Sequence, residues 1–97
     1  MRNLRYDPVA YREYIEALDW YASKGGSVGA KFDAAFDRAI VAIRAMPELY
    51  GTVDGTHRWC PIKKSSYGVV YRVTPDEIVV VGVPHNRQRA ADWGSRG

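Results

Sequence analysis

The sequence predicts an α+β domain in which a helical hairpin packs on a small antiparallel sheet, in the order β-α-α-β-β-β with a short C-terminal tail. Between residues 8 and 46 apolar side chains recur with the period of a helix, interrupted once at Gly25-Gly26. Between 57 and 83 they recur instead in three short runs rich in Val, Ile and Tyr, separated by turn residues. Size adds a bound: 97 residues make one domain of two packed layers, so 1–97 is read as a single unit.

Asn3-Leu4-Arg5-Tyr6 alternates polar and apolar side chains, as a short strand does. Asp7 is a good N-cap, and Pro8 suits the first helical position because its missing amide hydrogen would have no intrahelical partner there. Tyr11, Tyr14, Ile15, Leu18, Tyr21 and Ala22 then form one apolar stripe, so a helix is expected over about 8–23, ending at Gly25-Gly26, which tolerate a left-handed backbone. Ser27 is expected to cap a second helix, with Val28, Phe32, Phe36, Ala39, Ile40, Ile43 and Met46 on its core face. Lys31, Asp37, Arg38 and Arg44 lie outside that face, and Pro47 stops the helix. Two striped helices joined by a short link form an antiparallel hairpin that still needs a second layer.

Three strands supply that layer after a polar loop at 51–56: His57 to Lys64, Tyr67 to Val73 and Ile78 to Val83. Ser65-Ser66 and Thr74-Pro75-Asp76-Glu77 provide the turns. In the middle run Tyr67, Val69, Tyr71 and Val73 share one face, and Gly68, Val70 and Arg72 the other. Ile78-Val79-Val80-Val81 is apolar on both faces, which makes the last strand central, whereas Pro61 lacks a ladder donor and places the first of the three at an edge.

An apolar fraction of 46% argues against disorder. No run approaches the roughly 20 apolar residues of a membrane helix, and the N-terminal residues lack the apolar core of a signal peptide, so a cytoplasmic protein with no membrane partner is expected. Cys60 is the only cysteine, which excludes an internal disulfide. With His57 it falls short of a zinc set and reads as a small buried hydrophobe, so neither a metal nor an organic cofactor is implied. The net charge of +3 is unevenly placed: residues 1–50 carry seven basic and seven acidic side chains, residues 51–97 seven and four. Arg58, Lys63, Lys64 and Arg72 have no acid among them and are followed by Arg87 and Arg89, a set suited to a polyanion or an acidic partner.

Four stretches, in this order and spacing, resemble the RelE/ParE toxin superfamily, in particular its plasmid stabilisation type: Ala17-Leu18-Asp19-Trp20-Tyr21, Met46-Pro47-Glu48-Leu49-Tyr50, Tyr67-Gly68-Val69-Val70-Tyr71-Arg72-Val73, and His85-Asn86-Arg87 leading toward Asp92-Trp93. The resemblance implies the toxin of a type II toxin–antitoxin system, held inactive by a cognate antitoxin that lays an extended or helical segment over it. It also implies one of two targets, DNA gyrase or the translating ribosome with its mRNA. Ribosome-dependent nucleases of the superfamily typically carry a catalytic Arg directly after the Tyr that opens the middle strand, where this chain has Gly68 after Tyr67. They often place a Tyr six residues after the Arg that follows the last strand, where this chain has Trp93 after Arg87. The departures favour ParE-like inhibition of gyrase over RelE-like, ribosome-dependent mRNA cleavage. A third reading is a non-toxic relative that retains only antitoxin binding.

RNA cleavage by a 2′-hydroxyl needs a proton acceptor, a proton donor and cations around the phosphate. His85 and Arg87 are the candidates for that chemistry, against the plainer reading of a surface imidazole bonded to backbone. Arg58, Lys63, Lys64, Arg72, Arg87, Arg89 and Trp93 are candidates for target or nucleic-acid contact, against a solvated sheet edge and, for Trp93, a ring that folds the tail back onto the domain. Trp20 lies opposite Leu18 at about 100° per residue, and is a candidate antitoxin anchor unless residues before the first helix or the 48–56 loop cover it. His57 is expected to face solvent, Trp59 to sit on a sheet face, and the tyrosines at 11, 14, 21, 67 and 71 to pack in the core.

Overall fold

The computed structural model describes residues 2–88 and 91–96. Strand β1 (Asn3–Tyr6) leads into helix α1 (Pro8–Ala22) and helix α2 (Gly26–Ala45); strands β2 (Arg58–Pro61), β3 (Gly68–Val73) and β4 (Glu77–Gly82) follow, then a short 3-10 turn at Asn86–Gln88. The four strands form one sheet in the order β1-β4-β3-β2. β4 is central, as its two apolar faces predict, and Pro61 lies on the edge strand β2.

β2, β3 and β4 are antiparallel, but β1 joins β4 in parallel, pairing Leu4 with Ile78 and Tyr6 with Val80, so the sheet is mixed. The cause lies in the path of α1. Asp7 N–H donates to Val80 O, Glu13 on the next turns of α1 accepts from Val83 N–H, and the Tyr21 hydroxyl accepts from Ser66 N–H. The helix thus continues the direction of β1 instead of doubling back. Only α2 reverses the chain before β2, and two hairpins later β4 again runs with β1.

The helices cover one face of the sheet. Ala10, Ala17, Phe32, Ala35, Phe36, Ala39 and Ile43 pack against Cys60, Ile62, Val69, Tyr71, Ile78, Val80 and Val83. Tyr14 stacks on Phe36 with centroids 4.1 Å apart and Tyr21 on Phe32 at 4.6 Å, so α1 and α2 are joined by aromatic pairs. Tyr14 also donates to Asp33. The Tyr71 hydroxyl donates to Pro47 O at 2.6 Å and ties β3 to the end of α2.

Several local expectations are corrected. The α1 stripe centres on Ala10, Tyr14, Ala17 and Tyr21, leaving Tyr11 51% exposed and Ile15 on the surface, because the small alanines allow the closer approach. α2 starts at Gly26 with Gly25 at the cap (φ 145), so Ser27 lies inside the helix and makes no cap. Met46 leaves the helical backbone at the C-cap and is 57% exposed. His57 is 5% exposed: its Nδ1 is 2.8 Å from Asp54 Oδ2, while Asp54 Oδ1 accepts from the amides of Thr56 and His57 at 2.9 and 2.7 Å. That acceptor turn, closed at Gly55 with φ 84, rolls His57 inward.

The opposite sheet face is covered by two indoles. Trp59 and Trp93 pack with Val70, Val79, Val81 and Val53. A bulge opposite the Val70–Tyr71 step sets Val70 against Gly82 and Tyr71 against Val80, placing Val81 and Gly82 on the same open face. The Trp93 ring lies on Gly82, and the Trp59 ring on Gly68.

Two outcomes follow. A Cβ at Gly29 would stand 2.9 Å from Ala22 Cβ and 3.0 Å from its Cα, whereas Gly26 has open space. Gly29→Val is expected to lower unfolding free energy by about 1–3 kcal/mol in urea titrations, and Gly26→Ala to leave it unchanged or raise it by up to about 1 kcal/mol. The amides of His57 and Thr56, with the His57 ring, hold the Asp54 carboxyl down from 3.8 to about 2. Its stabilisation is complete above about pH 4 and disappears as pH falls through about 2, so the advantage of wild type over Asp54→Asn in thermal melts is expected to shrink across that window.

Candidate functional surface at one end of the sheet

The turn from β2 to β3 and the segment after β4 meet at one end of the sheet. Ser65 Oγ donates to Ile62 O at 2.7 Å and accepts from Tyr67 N–H at 3.1 Å, which shapes the turn. Lys64 closes it in the left-handed region at φ 60, uncommon for a residue with a Cβ. Gly68 N–H donates to Pro84 O, Asn86 N–H to Ser66 O, and Tyr67 bridges His85, so residues 62–68 and 84–86 are stitched together. The Tyr21 hydroxyl accepts from Ser66 N–H and brings the end of α1 to the same place.

Lys63 and Lys64 of the turn and Arg87 of the later segment are exposed at this end, and His85 is half-buried. His85 Nδ1 accepts from Arg87 N–H at 3.2 Å, which places the ring proton of neutral imidazole on Nε2. The ring meets Tyr67 edge-on with centroids 5.4 Å apart, and Tyr67 rests against Tyr21 and Phe32. Burial, followed by Tyr21 and Glu16, pushes the Tyr67 phenol up, so it stays protonated near neutrality. The surface therefore offers an imidazole, a phenol and exposed cations, and among the described residues no carboxylate is hydrogen-bonded to the imidazole.

The other candidates separate from this group. Arg58 pairs with Tyr71 toward the far end of β3, and its guanidinium donates to Glu48 O at 3.2 Å and Tyr50 O at 2.6 Å, clamping the loop after α2. Arg72, half-buried, pairs with Val79 toward the same far end. The basic residues of 55–73 thus do not make one patch, because strand direction carries Arg58 and Arg72 away from Lys63 and Lys64. Trp93 is 2% exposed beneath the tail and presents no face to a base; the reading in which it folds the tail back is the one observed. Arg89 lies outside the described residues.

Trp20 is 53% exposed, so neither the residues before α1 nor the 48–56 loop covers it. Its ring meets Tyr21 edge-on at 5.0 Å, and Lys24 Nζ lies 4.8 Å from its centroid. An exposed aromatic with a cation over it thus sits next to the Tyr21–Ser66 junction.

Sequence reasoning missed Glu13 and Arg96, which form a two-oxygen ion pair at 3.0 and 3.2 Å beside Pro84 and Arg87. No local signal marks a pair so far apart in the chain. Cys60 is buried, with its thiol pushed up by that burial. Among the described residues no group of His, Cys, Asp and Glu gathers that would hold a metal ion, and no helix is long and apolar enough to cross a membrane.

The model of the ParE toxin of type II toxin-antitoxin systems, parDE, matches residues 4–90. The chain belongs to this toxin family. A solved structure of the chromosomal ParDE toxin–antitoxin system from P. aeruginosa shares the fold at a TM-score of 0.61 and 15% identity, over 88% of this chain and 96% of that one. No curated protein matches the sequence.

The seat of Trp59 on Gly68 has a measurable consequence. Cε2 of the indole would lie 2.6 Å from a Cβ at position 68, so an arginine there displaces the ring. Gly68→Arg is expected to cost more than about 2 kcal/mol of stability. Pairing it with Trp59→Ala is expected to cost less than the two single changes added together; strict additivity in a double-mutant cycle would show that ring and glycine are not coupled.

Proposed function

We propose that this toxin arrests growth by ParE-like inhibition of DNA gyrase, that a cognate antitoxin neutralises it in the cytoplasm, and that the exposed cations Lys63, Lys64 and Arg87 engage the target. The observation that carries the reading is the occupied seat at Gly68. By the resemblance, the nucleases typically carry a catalytic arginine at the position of Gly68, and here the indole of Trp59 fills the space that a side chain at 68 would enter, so an arginine would have to displace the ring. What remains at that end is charge for binding, not a compact acid–base set.

One observation favours the second reading, ribosome-dependent mRNA cleavage. With Nδ1 of His85 accepting from Arg87 N–H, the ring presents Nε2–H as a donor that could face a phosphate or leaving oxygen. Primer extension along mRNA in a cell-free translation reaction separates the two. Intact message together with loss of gyrase supercoiling supports the proposal; new 5′ ends that need translating ribosomes sink it. A chain that leaves both intact and does not arrest growth is the non-toxic relative.

The antitoxin is expected to anchor on Trp20, the exposed indole beside this end of the sheet. Arg87→Ala is expected to relieve growth arrest and reduce gyrase inhibition at least about tenfold while leaving antitoxin affinity unchanged. Trp20→Ala is expected to do the reverse, weakening antitoxin binding by about 2 kcal/mol in calorimetry with toxicity retained. Unchanged antitoxin affinity in Trp20→Ala would remove Trp20 from that interface.

A further inference from the structure

We infer that Glu13 is a positioning residue for the segment bearing His85 and Arg87, acting through one carboxylate that grips both the exit of β4 and the C-terminal tail; the functional part of this inference rests on the reading of Arg87 above. Glu13 Oε1 accepts from Val83 N–H at 2.9 Å, immediately before Pro84 and His85. The same oxygen accepts from Arg96 at 3.0 Å, and Oε2 accepts from the second Arg96 nitrogen at 3.2 Å. Arg96 also donates to Val81 O at 3.1 Å, and its guanidinium carbon lies 4.9 Å from the centroid of Trp93, itself seated on Gly82.

The chain therefore leaves β4 at a residue held by Glu13 and comes back to another residue held by Glu13. Pro84 has no amide hydrogen, which makes Val83 N–H the last donor of β4 before the segment turns away. The carboxylate and guanidinium are both partly buried, where a two-oxygen pair is geometrically specific. Arg87, Pro84 and Gln88 line the same cleft of about 380 Å3 as Glu13, Trp93 and Arg96, so the latch and the proposed contact residue share one wall. α1 thereby reaches the segment that leaves the end of β4.

The test uses the full chain with three variants. Glu13→Ala removes both grips, Glu13→Gln keeps an acceptor for Val83 N–H but drops the ion pair, and Arg96→Ala releases only the tail. Amide hydrogen exchange at Val83, His85 and Arg87 is expected to speed up about tenfold or more in Glu13→Ala and less in the other two, with the amides of β3 unaffected. Gyrase inhibition is expected to weaken in the same order, by about tenfold in Glu13→Ala, with antitoxin still bound. Unchanged exchange in Glu13→Ala overturns the inference. So does faster exchange with undiminished inhibition, in a preparation where Arg87→Ala is inactive. If Arg87→Ala keeps full potency, the reading of Arg87 is what fails, and exchange alone then decides whether Glu13 holds the segment. Should Glu13→Ala not fold, Glu13→Gln and Arg96→Ala carry the same comparison.

Discussion

The structure depends on a sheet that is apolar on both faces in a chain with helices enough for only one. Val69, Val70 and Tyr71 of β3 and Ile78 to Val81 of β4 are at most 1% exposed, so both surfaces need cover. The helical hairpin covers one. Trp59 and Trp93 cover the other, one from the edge strand and one from the tail, and each large ring fits because a glycine lies beneath it. The tail therefore contributes Trp93 to the core, although the residues around it are exposed or half-buried.

Much of this architecture was legible because it rests on periodicity. The two helices, the three later strands, the central position of β4 and the edge position of Pro61 all follow from which residues recur on one side. What escaped depends on contacts made across the chain. The parallel entry of β1 follows from α1 holding its direction, which no local pattern encodes. The α1 stripe is shifted from its expected place because Tyr11 and Ile15 look more core-like than the alanines at 10 and 17, yet close helix packing favours the alanines. His57 looked exposed because Asp54 was read as loop and not as the acceptor that turns it inward.

The candidate surface was legible as a list of charges but not as a place. The segments bearing Lys63, Lys64, His85 and Arg87 come to one end of the sheet because the β2–β3 turn is bonded to the segment after β4, while Arg58 and Arg72, equally basic and close in sequence, are carried to the far end by strand length alone. Trp20 points away from the core because helical angle alone sets its direction, and it stays 53% exposed. The Glu13–Arg96 pair joins the first helix to the tail and is visible only once both are docked on the sheet.

Two demands compete for position 68. A catalytic guanidinium there would have to project from the same sheet face that needs an indole to exclude water, and the strand has space for one of them. With a single helical layer, loss of the indole would expose Val70, Val79 and Val81, a burial term of about 1.5–3 kcal/mol for each valine fully uncovered. Cover prevails, and the position becomes glycine. The cations left exposed are those that the sheet does not need: the lysines of the β2–β3 turn and Arg87, none of which contributes to the core. The 84–88 segment beside them is held by backbone rather than by burial: Val83 N–H is bound by Glu13, and Pro84 O and Asn86 N–H are bonded to the β2–β3 turn, so its position follows from how the sheet and α1 meet.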